Sequence, residues 1–305
     1  MKIRIGGRGS QLSLAQLELV AAALSDRSEV EIVSYRTTGD RLSRLDAAMT
    51  GKDLFTREID EALADGRIDV AVHSLKDLPS RLPEGLVLAA VPPREDPSDV
   101  LVSRDGDSFA GLRAGSSIGT SSPRRRAQVL LARPDLVVTD ARGNVDTRVR
   151  RLHEGRWDAI VLARAGLARL KRLADVTEVL PASWMLPAVG QGALAVVTRE
   201  GDDRVRGLVA EVDHRPSHCE AVAERALLAL LEAGCRAPLA GLARSDGGRM
   251  RLAAAVFAPD GSRTLQQVGE GSPEAAAELG FDVARRLLAQ GAGELITLSR
   301  ADAGA

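Results

Sequence analysis

The sequence predicts an α/β fold in which a mostly parallel sheet is covered by helices. Across the first two thirds of the 305 residues, short β-branched runs alternate with amphipathic stretches of helical period. Parallel neighbours need such helical crossovers to reverse the chain. The 45% apolar content supplies a large core, and the length suits about two domains of ordinary size.

The elements follow in order. "KIRI" (2–5) is a strand that leads through "GGRGS" into the helical "QLSLAQLELVAAAL" (11–24). "EIVSY" (31–35) runs into "RTTGD", "IDVAVH" (68–73) into "SLKD", "LVVTD" (136–140) into "ARGNVDTRVRRL" and "DAIVLA" (158–163) into "RAGLARL". Ligands of such sheets sit at the carboxyl ends of strands, and there Arg8, Arg36, Arg142 and Arg164 recur. "VPPREDPSD" (91–99) and "LPAVGQG" (186–192) read as linkers. Ser217 and Glu220 form a capping box for a further helix that ends at a left-handed Gly234. The polar, glycine-flanked segment 37–53 is a long loop whose part 41–52 has the composition of a mobile lid.

Charge and aromatic content exclude several functions. Lys plus Arg number 41 against 42 acids, so a net charge of −1 offers no long-range field to nucleic acid or an anionic membrane. With 2% aromatics there is almost no platform for stacked bases. No apolar run reaches the length of a signal peptide core or a membrane span, so a cytoplasmic protein is expected. Cys219 and Cys235 are too few for a disulfide framework or a common metal cluster, and no metal is expected.

The chemistry must be local. "GGRGS" fails the dinucleotide fingerprint at Leu12, and the only Gly-Lys pair continues as Asp53, which rules out a Walker A loop. What is left is a backbone nest with Arg8, or a tight turn. "GTSSPRRR" (119–126) joins hydroxyls and helix-start N–H groups to guanidiniums able to grip carboxylate or phosphate in bidentate fashion. "ARGNVDTRVRR" adds Arg142 and Arg148 at another strand end. Only Lys2, Lys52, Lys76 and Lys171 are lysines, and phosphate sites often recruit lysine; several carboxylates on one ligand fit better. Ser74, Lys76 and Asp77 follow a strand, where an Asp is a helix cap more often than a catalyst, while His73 is expected as a packed strand residue. Cys219, in a helix first turn, would have its thiol activated by the macrodipole; Cys235 lies beyond the helix stop beside Arg236. A binding module for small dicarboxylates and a nucleotide-dependent transferase are the rival classes, the latter without its phosphate motif.

Six motifs, "HSLKDLP", "REDPSDVLVS", "IGTSSPRRRAQ", "RGNVDTR", "LPAVGQGA" and "GCRAP", span nearly the whole chain. In this order they resemble the porphobilinogen deaminase (hydroxymethylbilane synthase) family. The resemblance implies two periplasmic-binding-protein-like α/β domains, 1–92 plus 193–212 and 98–187, and a smaller α/β third domain, 215–305. It also implies a monomer that joins four porphobilinogen units head to tail with loss of ammonia on a covalent dipyrromethane primer.

Matched residue by residue, the primer's thioether falls on Cys235, against the thiol argument for Cys219, and the catalytic carboxylate on Asp77. The residues implied to hold the cofactor are Lys76, Ser74, Thr120, Ser122, Arg124, Arg125 and Arg142; those implied to hold substrate are Arg8, Ser10, Arg148, Arg169 and Gln191. Because each pyrrole brings an acetate and a propionate, an arginine-rich site is the expected answer. Asp146, Pro123 and Asp53 depart from the family's usual Gly, Leu and Gly. Asp146 is the most consequential, since its charge could weaken the grip of Arg142 and Arg148.

Overall fold

The computed structural model describes residues 2–38, 56–232 and 237–302. Segment 41–52, Asp53, Gly234 and Cys235 therefore lie outside the described residues.

Two five-stranded sheets share one plan. The first has the order β2 (Glu29–Tyr35), β1 (Lys2–Arg8), β3 (Val70–Ser74), β10 (Leu194–Arg199), β4 (Leu86–Ala90). The second has β7 (Val137–Thr139), β6 (Ser117–Gly119), β8 (Ala159–Ala163), β5 (Asp99–Ser103), β9 (Glu178–Leu180). In each, the three strands at one edge pair in parallel and the fourth strand is antiparallel to both neighbours. That fourth strand enters from the other sheet: β5 follows β4 across residues 91–98, and β10 follows β9 across 181–193. The expectation of a mostly parallel sheet therefore needs correction at β5 and β10, because a chain that crosses between two sheets and returns inserts its strands against the prevailing direction.

Helices Gln11–Leu24 and Arg57–Ala64 cover opposite faces of the first sheet, and both faces are apolar. The second sheet likewise has a core on each face. A third sheet, β11 (Leu239–Asp246), β12 (Arg249–Phe257) and β13 (Thr264–Gly271), is an antiparallel meander. Helices Arg215–Leu230 and Ala276–Ala289 bury their apolar faces on it.

The helix expected to start at Ser217 starts at Arg215, with His214 as N-cap, because Pro216 suits the first turn, where no backbone donor is needed. Ser217 and Glu220 form no capping box; they face residue Arg94 instead. The helix ends at Leu230 and turns through the left-handed Glu232 (φ 47°), two residues before Gly234.

The two crossings are packed seams rather than loose linkers. Arg94 is buried and donates to Glu224 (2.7 Å) and Glu220 (3.3 Å) of the third unit, and through Nε to the Gln191 carbonyl (2.9 Å). Burial disfavours its charge, but the two glutamates outweigh burial and hold its pKa above the usual arginine value. Gly190 and Gly192 both have left-handed φ (74° and 87°). A Cβ on Gly190 would lie 2.9 Å from the Lys76 backbone nitrogen, and one on Gly192 would lie 2.3 Å from the Glu95 carbonyl. Only glycine fits at either position, and the second crossing is thereby pressed against the 75–77 turn and against the first crossing.

Candidate active site

β3 ends at Ser74 and passes into a single 3-10 turn, Leu75–Asp77, tied to the second crossing by the Leu75 N–H to Ala193 carbonyl bond of 3.0 Å. The turn sets Lys76 and Asp77 at the carboxyl edge of the first sheet, facing the loops of the second. Asp77 lines a small polar cavity with Arg8, Ser10, Gln16, Thr56 and Ser74. Ser10 is the N-cap of Gln11–Leu24 and accepts the Ser13 N–H (3.3 Å), and Ser74 Oγ accepts from Gln16 Nε2 (2.9 Å). His73 is a buried strand residue whose Nε2 lies 3.3 Å from Asp60.

On the second sheet, the Pro123–Ala132 helix starts with Ser122 as N-cap and Pro123 in its first position, where a missing N–H costs nothing. That accounts for the Pro123 departure. Ser122 Oγ accepts the Arg125 N–H (3.4 Å), and the buried Thr120 Oγ1 accepts the Ser122 N–H (3.2 Å). The helix start aims Arg124 and Arg125 inward, and both meet a carboxylate of the chain itself. Asp99 is fully buried, 2.7 Å from Arg124 Nη1 and 2.7 Å from Arg125 Nη2. Arg124 also donates to the Leu186 carbonyl (2.7 Å) and Arg125 to that of Val161 (2.9 Å).

Gln191 donates to Asp99 (2.9 Å) and to the Pro97 carbonyl (2.6 Å). Burial would raise the Asp99 pKa, but Arg124 and Arg125 outweigh it and bring it down to about 2. Burial pulls the Arg124 pKa below the usual arginine value although Asp99 opposes this, because one carboxylate is shared between two cations.

Lys76 and Arg148 are placed differently. Burial lowers the Lys76 pKa to about 8; Asp77 and Asp99 favour its charge while Arg125 and Arg124 oppose it. Burial likewise brings Arg148 down to about 10, with Arg125 adding to the effect and Asp77 opposing it. Arg148 donates through Nε to the Gly143 carbonyl (2.8 Å), not to an acid. Lys76, Arg124, Arg125 and Arg148 thus stand near two carboxylates, Asp77 and Asp99. A desolvated excess of positive charge suits an anionic ligand with several carboxylates.

Arg142 pairs with Asp140 (3.1 Å) at the rim. Arg169 donates to the Gly192 carbonyl (2.6 Å), and burial lowers its pKa to about 10 against the pull of Glu95. Asp146 does not sit on Arg142 or Arg148 as feared; it accepts from Arg172 (2.8 Å). Arg126, the third of the run, points away to the Val138 carbonyl (2.8 Å).

Sequence reasoning missed Asp99 and Arg94, whose signal was the cluster of charges among prolines in "PPREDPSD". A cleft of about 510 Å³ bounded by Glu84, Arg199 and Asp202 opens at the far end of β10, away from every candidate residue. Among the described residues no His, Cys, Asp or Glu side chains group as a metal site, and no helix is long and apolar enough to cross a membrane.

Residues 3–207 match the family model described as porphobilinogen deaminase, dipyromethane cofactor binding domain, and 218–289 match its C-terminal domain. The porphobilinogen deaminase of Rubrobacter xylanophilus is 47% identical over 98% of this chain and 98% of its own. That of Desulforudis audaxviator is 46% identical over 99% of both. The Thermus thermophilus porphobilinogen deaminase is 45% identical over 97% of this chain and 98% of its own. Among solved structures, lipoprotein Tp32 of Treponema pallidum aligns over 69% of this chain and 90% of its own, with 15% identity and a TM-score of 0.43. The Salmonella typhimurium arginine-specific periplasmic binding protein STM4351 aligns over 69% and 91%, with 14% identity and a TM-score of 0.40. The two structural likenesses are too weak to bear on function.

Proposed function

The chain belongs to the porphobilinogen deaminase family, and on that premise we propose how its own residues serve the reaction. The activity is hydroxymethylbilane synthesis: four porphobilinogen units are joined head to tail, each with loss of ammonia. The dipyrromethane cofactor, when bound, supplies the pyrrole end on which the chain grows.

The donor set suits such a group. Each pyrrole carries an acetate and a propionate, and the cluster of cations around Asp77, with Arg124 and Arg125 buried and Lys76 and Arg148 half-buried, is the observation that carries the reading. Lys76 and Arg148 hold ligand carboxylates most directly, because Asp99 already neutralises part of the charge of Arg124 and Arg125. Arg142 and Arg8 extend the carboxylate grip, at the rim and in the Asp77 cavity respectively. Ser10, Ser74, Thr120 and Ser122 fix the loops that present these cations, and Arg169 and Gln191 fasten the crossing beneath them.

Asp77 runs the chemistry. Loss of ammonia leaves positive charge shared with the pyrrole nitrogen of the substrate, and a carboxylate beside that N–H stabilises it. The aminomethyl group leaves from its ammonium form as ammonia, and the Asp77 carboxylate then accepts the proton lost from the attacked ring carbon, general base help of about 10²- to 10⁴-fold. Cys235 carries the cofactor thioether. Cys219 is part-buried against the core of the third unit. We further assign the domains as 1–92 plus 193–212, 98–187 and 215–305, and read the protein as a cytoplasmic monomer with no nucleic-acid partner.

Intact mass of the purified active protein tests the assignment. It should exceed the polypeptide by two linked pyrroles, and peptide mapping should place them on Cys235. Bare polypeptide mass in active protein, or an adduct on Cys219, contradicts it.

A further inference from the structure

Thr56 heads the Arg57–Ala64 helix as its N-cap. A threonine in that position ordinarily turns its hydroxyl onto a backbone N–H of the first turn. Thr56 does not. Its own backbone is already helical (φ −117°, ψ −29°), its side chain makes no capping bond, and only its carbonyl is used, by the N–H groups of Ile59 and Asp60 at 2.9 Å each. The residue is 1% exposed and its Oγ1 has no hydrogen-bond partner. Buried hydroxyls without partners are uncommon in folded proteins and each calls for an explanation.

The position of the residue supplies one. Thr56 lines the cavity shared by Arg8, Ser10, Ser74 and Asp77, where Ser10 and Ser74 hydroxyls already accept bonds from within the chain. We propose that the Thr56 hydroxyl is a further substrate-binding group, donating to a carboxylate of the acidic pyrrole held beside Arg8. The proposal rests on the functional reading above. A carboxylate is the group that fits, because a guanidinium borders the same cavity and the hydroxyl brings an unused donor.

Thr56→Val keeps the branched shape and removes only the hydroxyl. Because no capping or other bond is lost, the variant should unfold at or above the wild-type temperature. With porphobilinogen as the probe, KM should rise about tenfold, the worth of one hydrogen bond, with kcat within about twofold. Thr56→Ser should restore KM. A Thr56→Val KM within about twofold of wild type overturns the proposal, and so does a loss of stability with KM unchanged. Wild-type protein in the same assay separates the two readings: no wild-type turnover of porphobilinogen sinks the proposed function, whereas unchanged kinetics in Thr56→Val sink the Thr56 assignment alone.

Discussion

Arg124 and Arg125 meet a fully buried carboxylate of their own chain, Asp99, at 2.7 Å each, while the neighbouring Lys76 and Arg148 have no comparably close acid partner among the described residues. All four belong to motifs that read alike in sequence, as basic residues after a strand. The difference separates two tasks. The Asp99 pair, reinforced by Gln191, locks the start of β5 to the 123–132 helix and to the second crossing. Lys76 and Arg148 are half-buried and lack such an ion pair, which supports their proposed role in holding an anionic ligand. Within this cluster the shared internal acid ties Arg124 and Arg125 to the architecture, and we propose that Lys76 and Arg148, without one, serve the ligand.

The comparison breaks first where the buried pair is broken. Arg125→Leu leaves Asp99 short of a partner in a dry site, and loss of one member of such a pair costs about 3–5 kcal/mol. Sequence reading alone expects this variant to lose only ligand; the burial of Asp99 predicts a folding defect as well, read as a lower urea midpoint. Asp99 has a folded pKa of about 2, below that of the unfolded chain, so the pair's contribution is full above about pH 4 and is lost as pH falls toward 2.

Next in size is Asp77→Asn, which keeps the shape and removes the charge. Turnover should fall at least about a hundredfold with the fold intact, and Asp77→Glu should keep a partial rate. Steady-state rates on folded protein decide: if Asp77→Asn works within a few-fold of wild type, the carboxylate has no part in the chemistry.

Smallest is the pH response of Lys76. Its ammonium is lost as pH rises through about 8, so KM for porphobilinogen should climb above that point, and Lys76→Arg should flatten the climb. Because the folded pKa lies below the ordinary 10.5, the unfolded chain binds more protons between about 8 and 10.5, and stability without ligand should rise with pH across that window. A KM profile identical in Lys76→Arg contradicts the assignment.

Much of this was legible in sequence for reasons of short range. The 11–24 helix and strands β1, β3 and β8 announce themselves by hydrophobic period, and the positions of Ser74, Lys76 and Asp77 follow from their places after β3. What was hidden depends on long-range pairing. Nothing local says that β10 will lie antiparallel to β3, 120 residues earlier in the chain, since Leu194 pairs with Ser74. Asp99 sits in a proline-rich stretch that reads as solvent-facing, and its burial follows only from the arrival of Arg124, Arg125 and Gln191 from other elements. Asp146 looked like a threat to Arg142 and Arg148 because they are neighbours in sequence; in space Arg172 engages it.

The most direct test of the distinction is urea unfolding of Arg148→Leu beside Arg125→Leu, both in a Cys235→Ser background so that bound cofactor does not contribute to stability. Arg148→Leu should lie within about 1 kcal/mol of the background protein, since it loses one carbonyl bond and sheds the burial of an unmatched charge, while Arg125→Leu should lose about 3–5 kcal/mol. Equal losses in the two variants would contradict the account, because Arg148 would then hold the architecture as Arg125 does.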